Sequence, residues 1–167
     1  MNPTASIEIR TPQPQDFEAI ARLTNIFIEK TAIHFGYELL SATDHQQAYE
    51  QDHQRYPWLA AFVDGAFAGY AKSCVWRERE AYRHSVETSV YVEESFRRAG
   101  VARALYLKLF DELRANDFHV AIAGATLPND ASVRFHESVG FKRVGTFREV
   151  GRKFDQWHDV AFFEIRL

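Results

Sequence analysis

Three arginines surround a glycine in the segment Arg97-Arg98-Ala99-Gly100-Val101-Ala102-Arg103, between a strong strand pattern and a helical pattern. A helix N-terminus carries unpaired N–H groups and the positive end of the helix dipole. Gly100 and Ala102 would let an anion approach the backbone, and the arginines would add positive charge. The segment therefore fits a phosphate or pyrophosphate site. From spacing alone, a solvated basic helix start is an equal alternative.

Glu87 is the second residue whose position suggests chemistry, because it interrupts the apolar strand pattern of residues 85–92. Alternation places Glu87, Ser89 and Tyr91 on one face of that strand and its valines on the other. Partial burial would raise the pKa of the carboxyl towards the range of a general base. From spacing alone, an outward-facing glutamate on a polar face is favoured.

Periodicity predicts the elements that must position these residues. A run of antiparallel strands gives way to a strand–helix–strand unit, in the order β-α-α-β-β-β-α-β-α-β-β. The fold class is therefore α/β (α+β), with a mixed, mostly antiparallel central sheet flanked by helices. Asp44, with Gln47 three residues on, is the predicted cap of the second helix. The predicted strands cover 6–10, 58–63, 67–76, 85–92, 120–126, 141–147 and 160–167, and the other helices cover 16–30, 100–114 and 131–138.

Composition bounds the class of protein. The 167 residues are 46% hydrophobic and 26% charged, which predicts one globular domain over residues 1–167 and argues against disorder. A net charge of −3 offers no overall attraction for nucleic acid or an anionic membrane. The aromatic share of 14% is high, and composition does not say whether the rings fill a core, a pocket or an interface.

Cysteine and histidine usage excludes several kinds of site. Cys74 is the single cysteine, so no intrachain disulfide is expected, and we expect a small core residue rather than a nucleophile. The seven histidines form no HExxH motif, and no metal is expected. No GxxxxGK[ST], GxGxxG or GxSxG motif occurs. No basic residue precedes an apolar run at the N-terminus, so we expect no secretory signal and a soluble, cytoplasmic protein.

Several blocks of the sequence together resemble the GNAT acyl-CoA N-acyltransferases, in particular their phosphinothricin and methionine sulfoximine N-acetyltransferase branch. Arg97-x-x-Gly100-x-Ala102 matches the Q/R-x-x-G-x-G/A signature of the superfamily. Segments 81–92, 128–141 and 150–159 resemble the core strand, the next helix and the C-terminal hairpin of the branch.

The resemblance implies a GNAT fold whose sheet is splayed after the fourth strand, beyond Val92, with acetyl-CoA in the opening. It also implies a homodimer. Backbone groups of Val90, Tyr91 and Val92 would hold the pantetheine arm, and the segment from Arg97 to Arg103 would hold the pyrophosphate. Asn129 and Ser132 would help position the cofactor or its acetyl end.

The resemblance also implies the chemistry. Glu87 would act as general base on an amine, and a protonated His136 would donate to sulfur or to a cofactor oxygen. The acceptor would be the α-amino group of a small methionine- or glutamine-like amino acid or an analogue of one. Acetylation of a protein N-terminus or lysine, and a non-catalytic CoA-binding sensor, are the alternatives. The expected substrate-binding residues are Phe35, Arg77, Arg79, Tyr82 and Arg83.

Overall fold

The apolar periodicities fold into seven strands and four α-helices across residues 6–167, the part of the chain that this computed structural model describes. The N-terminal residues on which the expected lack of a secretory signal depends lie mostly outside that part. The strands are β1 Ile7–Arg10, β2 Trp58–Val63, β3 Ala66–Val75, β4 Ser85–Val92, β5 Val120–Thr126, β6 Lys142–Lys153 and β7 Gln156–Arg166. The helices are α1 Phe17–Lys30, α2 Ala42–Asp52, α3 Val101–Ala115 and α4 Asp130–Ser138.

All seven strands form one mixed sheet in the order β1-β2-β3-β4-β5-β7-β6. Every neighbouring pair is antiparallel except β4 and β5, which run parallel. The predicted fold class is therefore confirmed. Parallel neighbours need a long crossover connection, usually through a helix, and α3 provides it.

The sheet opens between β4 and β5, although earlier along β4 than expected. The parallel ladder ends where Glu87 pairs with Ile122, rather than beyond Val92. The Thr88 hydroxyl donates to the carbonyl oxygen of Ile122 at 3.2 Å. The backbone pairing of the two strands ends before Thr88, and this side-chain contact is made at the point where they part.

The two faces of β4 pack against different helices. Val86 is fully buried in a cluster with the apolar stripe of α3, which includes Leu105 and Leu109. On the opposite face, the Tyr91 ring packs against a second cluster that includes Phe17 of α1. Alternation along one strand thus connects both layers of the core.

Three local expectations are wrong in detail. Ser41, not Asp44, caps α2: its Oγ accepts the Asp44 N–H at 3.1 Å, and the Asp44 carboxylate accepts the Ser41 N–H at 2.7 Å. The C-terminal hairpin is longer than predicted, because β6 and β7 continue to a tight turn at Phe154 and Asp155. Cys74 is exposed rather than buried, since alternation puts it opposite Glu87 and not on the face that packs against α3.

Candidate active site

A cavity of about 320 Å³ lies where β4 and β5 part. One wall is formed by β4 from Thr88 to Val92, and the other by the end of β5 and the first turns of α4. Eight of the expected site residues line this cavity. They are Val90, Tyr91, Val92, Arg97, Ala102, Asn129, Ser132 and His136.

The rest of the arginine-glycine segment shapes the entrance to α3 without lining the cavity. Arg98 and Gly100 adopt left-handed backbone conformations, with φ of 65° and 83°. Open space surrounds the position that a Gly100 side chain would occupy. Val101 is buried in the core, and Arg103 donates to the Ser138 carbonyl at 3.0 Å. Ala99 likewise does not line the cavity, so Arg97 and the backbone at the start of α3 are the groups available to an anion.

Asn129 caps α4 at the opposite wall. Its Oδ1 accepts the backbone N–H of Ser132 at 3.1 Å, which satisfies one of the unpaired donors at the helix start. Both residues line the cavity. The cap therefore fixes the part of the wall where the resemblance places the acetyl end of the cofactor.

His136 is buried at the cavity floor, with 5% of its surface exposed. Its Nδ1 lies 2.8 Å from the Ser132 carbonyl oxygen, and its Nε2 lies 3.4 Å from the Tyr106 hydroxyl. Burial lowers the pKa of the imidazole, and the hydrogen bond to Ser132 only partly opposes this. The ring is therefore neutral at pH 7, and the network assigns its proton to Nδ1. The resemblance implies a protonated His136, whereas burial favours the neutral imidazole.

Tyr106 and Thr88 are cavity residues that sequence reasoning missed. Burial raises the pKa of Tyr106 far above its ordinary value, so its hydroxyl stays protonated and can donate to His136 Nε2. Both residues left a signal in the sequence. Thr88 breaks a row of valines on one strand face, and Tyr106 places a hydroxyl among the leucines of an apolar helix stripe.

Glu87 lies at the last rung of the parallel ladder, between Cys74 of β3 and Ile122 of β5. Its carboxyl is half-buried, and burial raises its pKa. The positive charges of Lys72 and Arg77 oppose that shift without cancelling it. Glu87 does not line the cavity but directly precedes Thr88, so it is placed beside the point where the sheet opens.

Four of the five expected substrate-binding residues line two clefts that share Arg77 and Arg79, outside the β4–β5 cavity. Arg77 is close enough to Glu87 to act on its pKa, and it lines two shallow clefts together with Arg79. Tyr82 borders one of these clefts. Arg83 lines the other cleft with Arg77 and Arg79, and its guanidinium donates to Glu80 at 3.0 Å and to His84 at 2.8 Å.

Phe35 packs against the C-terminal hairpin. Its ring occupies the space that a side chain at Gly151 would need, and its centroid lies 6.1 Å from that of His158. The connection between α1 and α2 is therefore held against β6 and β7. Phe35 lies beside neither the cavity nor the arginine clefts.

Two further searches cover only residues 6–167. Within that range, no three histidine, cysteine, aspartate or glutamate side chains are grouped as a metal site would require. No helix there combines the length and apolar character needed to cross a membrane.

Curated relatives cover nearly the whole chain. A phosphinothricin N-acetyltransferase of Streptomyces viridochromogenes is 37% identical over 158 residues, which is 95% of this chain and 86% of the relative. An L-methionine sulfoximine/L-methionine sulfone acetyltransferase of Salmonella typhimurium is 34% identical over 161 residues, covering 95% of this chain and 94% of the relative.

Solved structures share the fold. A Salmonella typhimurium protein solved with its cofactor acetyl-CoA superposes with a TM-score of 0.92 at 33% identity, covering 96% of this chain and 94% of that one. A ribosomal-protein-alanine N-acetyltransferase from Brucella melitensis gives a TM-score of 0.91 at 35% identity, covering 96% and 99%.

The family comparison agrees with the geometry. Residues 9–162 match the acetyltransferase (GNAT) domain. Acyl transfer from a thioester would use a sheet that parts at β4, a helix start without a side-chain cap next to Arg97, and a half-buried glutamate beside the opening. This chain belongs to the GNAT acetyltransferase family.

Proposed function

We propose that this protein transfers the acetyl group of acetyl-CoA to the α-amino group of a small amino acid or analogue, such as methionine sulfone, methionine sulfoximine or phosphinothricin. The main support for this proposal is that Glu87 lies directly beside the opening between β4 and β5. The names of the relatives support the acceptor class. Residues 1–167 would form a single catalytic domain.

The cavity has the chemistry that acetyl-CoA requires. Arg97 and the exposed N–H groups at the start of α3 would hold the pyrophosphate, and Ala102 leaves the backbone accessible. Backbone groups of β4 from Val90 to Val92 have no β5 partner, so they are available to the amides of the pantetheine arm. Acetyl-CoA supplies an activated acetyl group as a thioester.

Glu87 would accept the proton that the acceptor amine loses. In the overall step a bond forms between the amine nitrogen and the acetyl carbon, the carbon–sulfur bond breaks, and the thiolate leaves with its electron pair. The raised pKa of Glu87 suits a base that must take a proton near neutral pH. The amine proton passes to Glu87, directly or through water, and a proton from the medium completes the thiol.

Because His136 is neutral, we propose a role for it other than the proton donor that the resemblance implies. A neutral imidazole whose Nδ1–H is bonded to the Ser132 carbonyl is not positioned as an acid. We propose that His136 orients Tyr106 and the first turn of α4 around the acetyl end. This role needs no proton transfer.

We further propose that the protein is a cytoplasmic homodimer. The single cysteine suits a reducing compartment. A row of large apolar side chains is exposed on the C-terminal hairpin, which is typical of a surface covered by a second copy. Sedimentation equilibrium tests the dimer. The exposed side chains are Val144, Phe147, Val150, Phe154 and Trp157.

Acetylation of a protein N-terminus is the second candidate. The Brucella relative is named for a ribosomal-protein alanine. On the C-terminal hairpin of this chain, Phe147 and Trp157 are exposed and could contact a peptide. The two functions differ in the size of the acceptor. A closed pocket formed by a dimer would favour the small amino acid, whereas a peptide needs an open groove.

A thiol-release assay tests these proposals. Acetyl-CoA is offered with methionine sulfone, methionine sulfoximine, phosphinothricin and an alanine-initiated peptide, and Glu87→Gln is the control for chemistry. We expect turnover with at least one amino-acid acceptor. Turnover with the peptide alone would favour the second candidate, and acetyl-CoA binding without turnover on any amine would indicate a sensor.

A further inference from the structure

Polar groups without partners gather on the sheet face that carries Glu87. Lys72 of β3 lies opposite Trp58 of β2 and opposite Ser89 of β4. Cys74, two residues further along β3, lies opposite Glu87. Because alternate residues share a face, Lys72 and Glu87 project from the same side of the sheet as diagonal neighbours.

The Lys72 side chain is half-buried, yet its charge is not neutralised. Its Nζ lies 5.0 Å from the centroid of the Trp58 ring, and it forms neither a hydrogen bond nor an ion pair with any other residue between 6 and 167. Burial lowers the pKa of Lys72, and the nearby Cys74 and Glu87 oppose this shift. A desolvated ammonium normally has a partner, so this one is available to a ligand.

His45 of α2 gives a second, independent sign of a polar ligand at the same place. Its ring lies 6.2 Å from Trp58 and 6.5 Å from Tyr70. His45 is 3% exposed, and its Nε2 is the only buried side-chain nitrogen or oxygen in residues 6–167 that lacks a hydrogen-bond partner. Buried polar atoms are nearly always bonded in folded proteins, so an outside group should complete this one.

The arrangement around Glu87 determines which part of an acceptor would reach Lys72. Lys72 lies on β3, two residues before Cys74, whereas Arg77 lies beyond the end of β3, three residues after Cys74. The positive charges of both residues act on Glu87. An amino acid that placed its amine at Glu87 and its α-carboxylate at Arg77 would have its side chain on the Lys72 side of Glu87. That side chain would meet an ammonium and an unpartnered imidazole.

We propose that Lys72 and His45, lying against Trp58, form a subsite for a negatively charged group on the side chain of the acceptor. This inference rests on the proposed function and narrows it. Acceptors whose side chain ends in a phosphinate or carboxylate are preferred over acceptors of the same shape without charge.

Two acceptors isolate that charge. Phosphinothricin ends in a methylphosphinate, which is an anion, and methionine sulfone ends in a methylsulfonyl group, which has nearly the same shape and no charge. We compare kcat/KM for both acceptors in the unaltered protein and in Lys72→Met, which keeps an apolar stem over Trp58. Lys72→Arg keeps the charge, and Lys108→Met removes an exposed lysine elsewhere as a matched control.

The expected result is a loss of about 10-fold or more in kcat/KM for phosphinothricin in Lys72→Met, the size typical of a charge-assisted hydrogen bond. Methionine sulfone should lose less than about 3-fold by the same reasoning, because its oxygens carry no net charge. Lys72→Arg should recover most of the phosphinothricin activity, and Lys108→Met should match the unaltered protein.

Other outcomes overturn the inference and leave the proposed function intact. An equal loss for both acceptors would mean that Lys72 acts on Glu87 alone, and no loss for either would mean that only water fills the subsite. Should Lys72→Met fail to fold, His45→Gln replaces it, and an unchanged ratio of the two kcat/KM values refutes the subsite. Failure of the unaltered protein on every amino-acid acceptor would instead refute the proposed function.

Discussion

The cofactor region, where β4 and β5 part, and the acceptor region, the sheet face around Lys72 and Glu87, differ in how their polar groups are satisfied. In the cofactor region the chain supplies its own partners, as in the chain of contacts from Tyr106 through His136 to the Ser132 carbonyl. In the acceptor region Lys72 has no hydrogen-bond or ion-pair partner among residues 6–167, and the pKa of Glu87 is raised. We expect polar groups that already have partners to suit a cofactor that is always the same, and unpartnered polar groups to suit acceptors that differ from one another.

The largest expected effect comes from the acceptor region. Glu87→Gln keeps the shape of the side chain and removes the base, so we expect kcat to fall by about 100-fold or more. Acetyl-CoA affinity should change by less than about 2-fold, because Glu87 does not line the cavity. Thiol release measures the first quantity and calorimetric titration the second.

Glu78→Gln is the matched control, since it makes the same change in the neighbouring exposed loop. The pH dependence of Glu87 adds an independent measurement. Because burial raises its pKa, the acid limb of kcat/KM should lie above the ordinary carboxyl value of 4.5, with activity lost as pH falls through the limb. Unchanged turnover in Glu87→Gln would mean that Glu87 is not the base. The acceptor region would then have no catalytic group to distinguish it from the cofactor region.

A smaller effect is expected at the entrance of the cofactor region. Arg97 lines the cavity, whereas Arg103 is bonded to the Ser138 carbonyl. Arg97→Ala should therefore raise KM for acetyl-CoA by about 10-fold with kcat little changed. Arg103→Ala should raise it by less than about 3-fold, because its charge lies further from the anion.

Steady-state kinetics with acetyl-CoA varied at saturating acceptor measure the KM and kcat of both alanine variants. Equal effects of the two alanine variants would mean that the segment attracts the cofactor through its summed charge. In that case the geometry of the helix start would matter less than the number of arginines.

The two regions were also unequally predictable from the sequence. Glycine spacing at a helix start indicated the segment that begins at Arg97, and the family resemblance added Val90 and Asn129. All three residues line the cavity. Lys72 and His45 are far apart in sequence and meet only through the register of β2 and β3 and the packing of α2. No local sequence pattern predicts that these two side chains lie near the same tryptophan.

Protonation states also could not be predicted from the sequence. His136 sits at an expected site position, yet its burial makes it neutral, and that burial depends on Phe163 and Tyr106 from distant elements. Cys74 shows the same limit, because an apolar strand does not reveal which of its faces a helix covers. Sequence patterns and the family resemblance predicted the elements on which His136 and Cys74 lie. The protonation of His136 and the exposure of Cys74 could be seen only in the packed structure.

If the cofactor region depends on its internal hydrogen bonds, removing one of them should make the folded protein less stable. Tyr106→Phe removes the hydroxyl that contacts His136 Nε2 and leaves that nitrogen without its partner. The free energy of unfolding should fall by about 1 kcal/mol, the usual cost of one buried hydrogen bond. Urea denaturation measures the change.

Tyr82→Phe is the control, since that hydroxyl lies on an exposed ring near the acceptor region and its removal should leave stability unaltered. A Tyr106→Phe protein as stable as the unaltered one would show that the long 3.4 Å contact to His136 contributes nothing. The cofactor region would then be held by aromatic packing alone.

The smallest effect that we expect is on stability rather than catalysis, and it concerns His45 in the acceptor region. Burial, helped by the charge of Lys72, lowers the pKa of His45 from 6.5 to about 4. The folded protein therefore keeps this ring neutral while the unfolded chain takes up a proton below its ordinary pKa. The stability that the neutral ring contributes is fully present above that pKa and is lost as pH falls towards the folded value.

Between about pH 7.5 and about pH 6, His45 should account for roughly 0.8 kcal/mol of lost unfolding free energy. Denaturant titrations at both pH values, compared between the unaltered protein and His45→Gln, isolate that share from the carboxylates and from His136, which titrate in both proteins. Lys72→Met should weaken the dependence without abolishing it, because it removes one of the causes that lower the pKa. Equal pH dependence in the unaltered protein and His45→Gln would mean that His45 is protonated or solvated in the folded state, and the acceptor region would then hold no neutral, unpartnered imidazole for a ligand to complete.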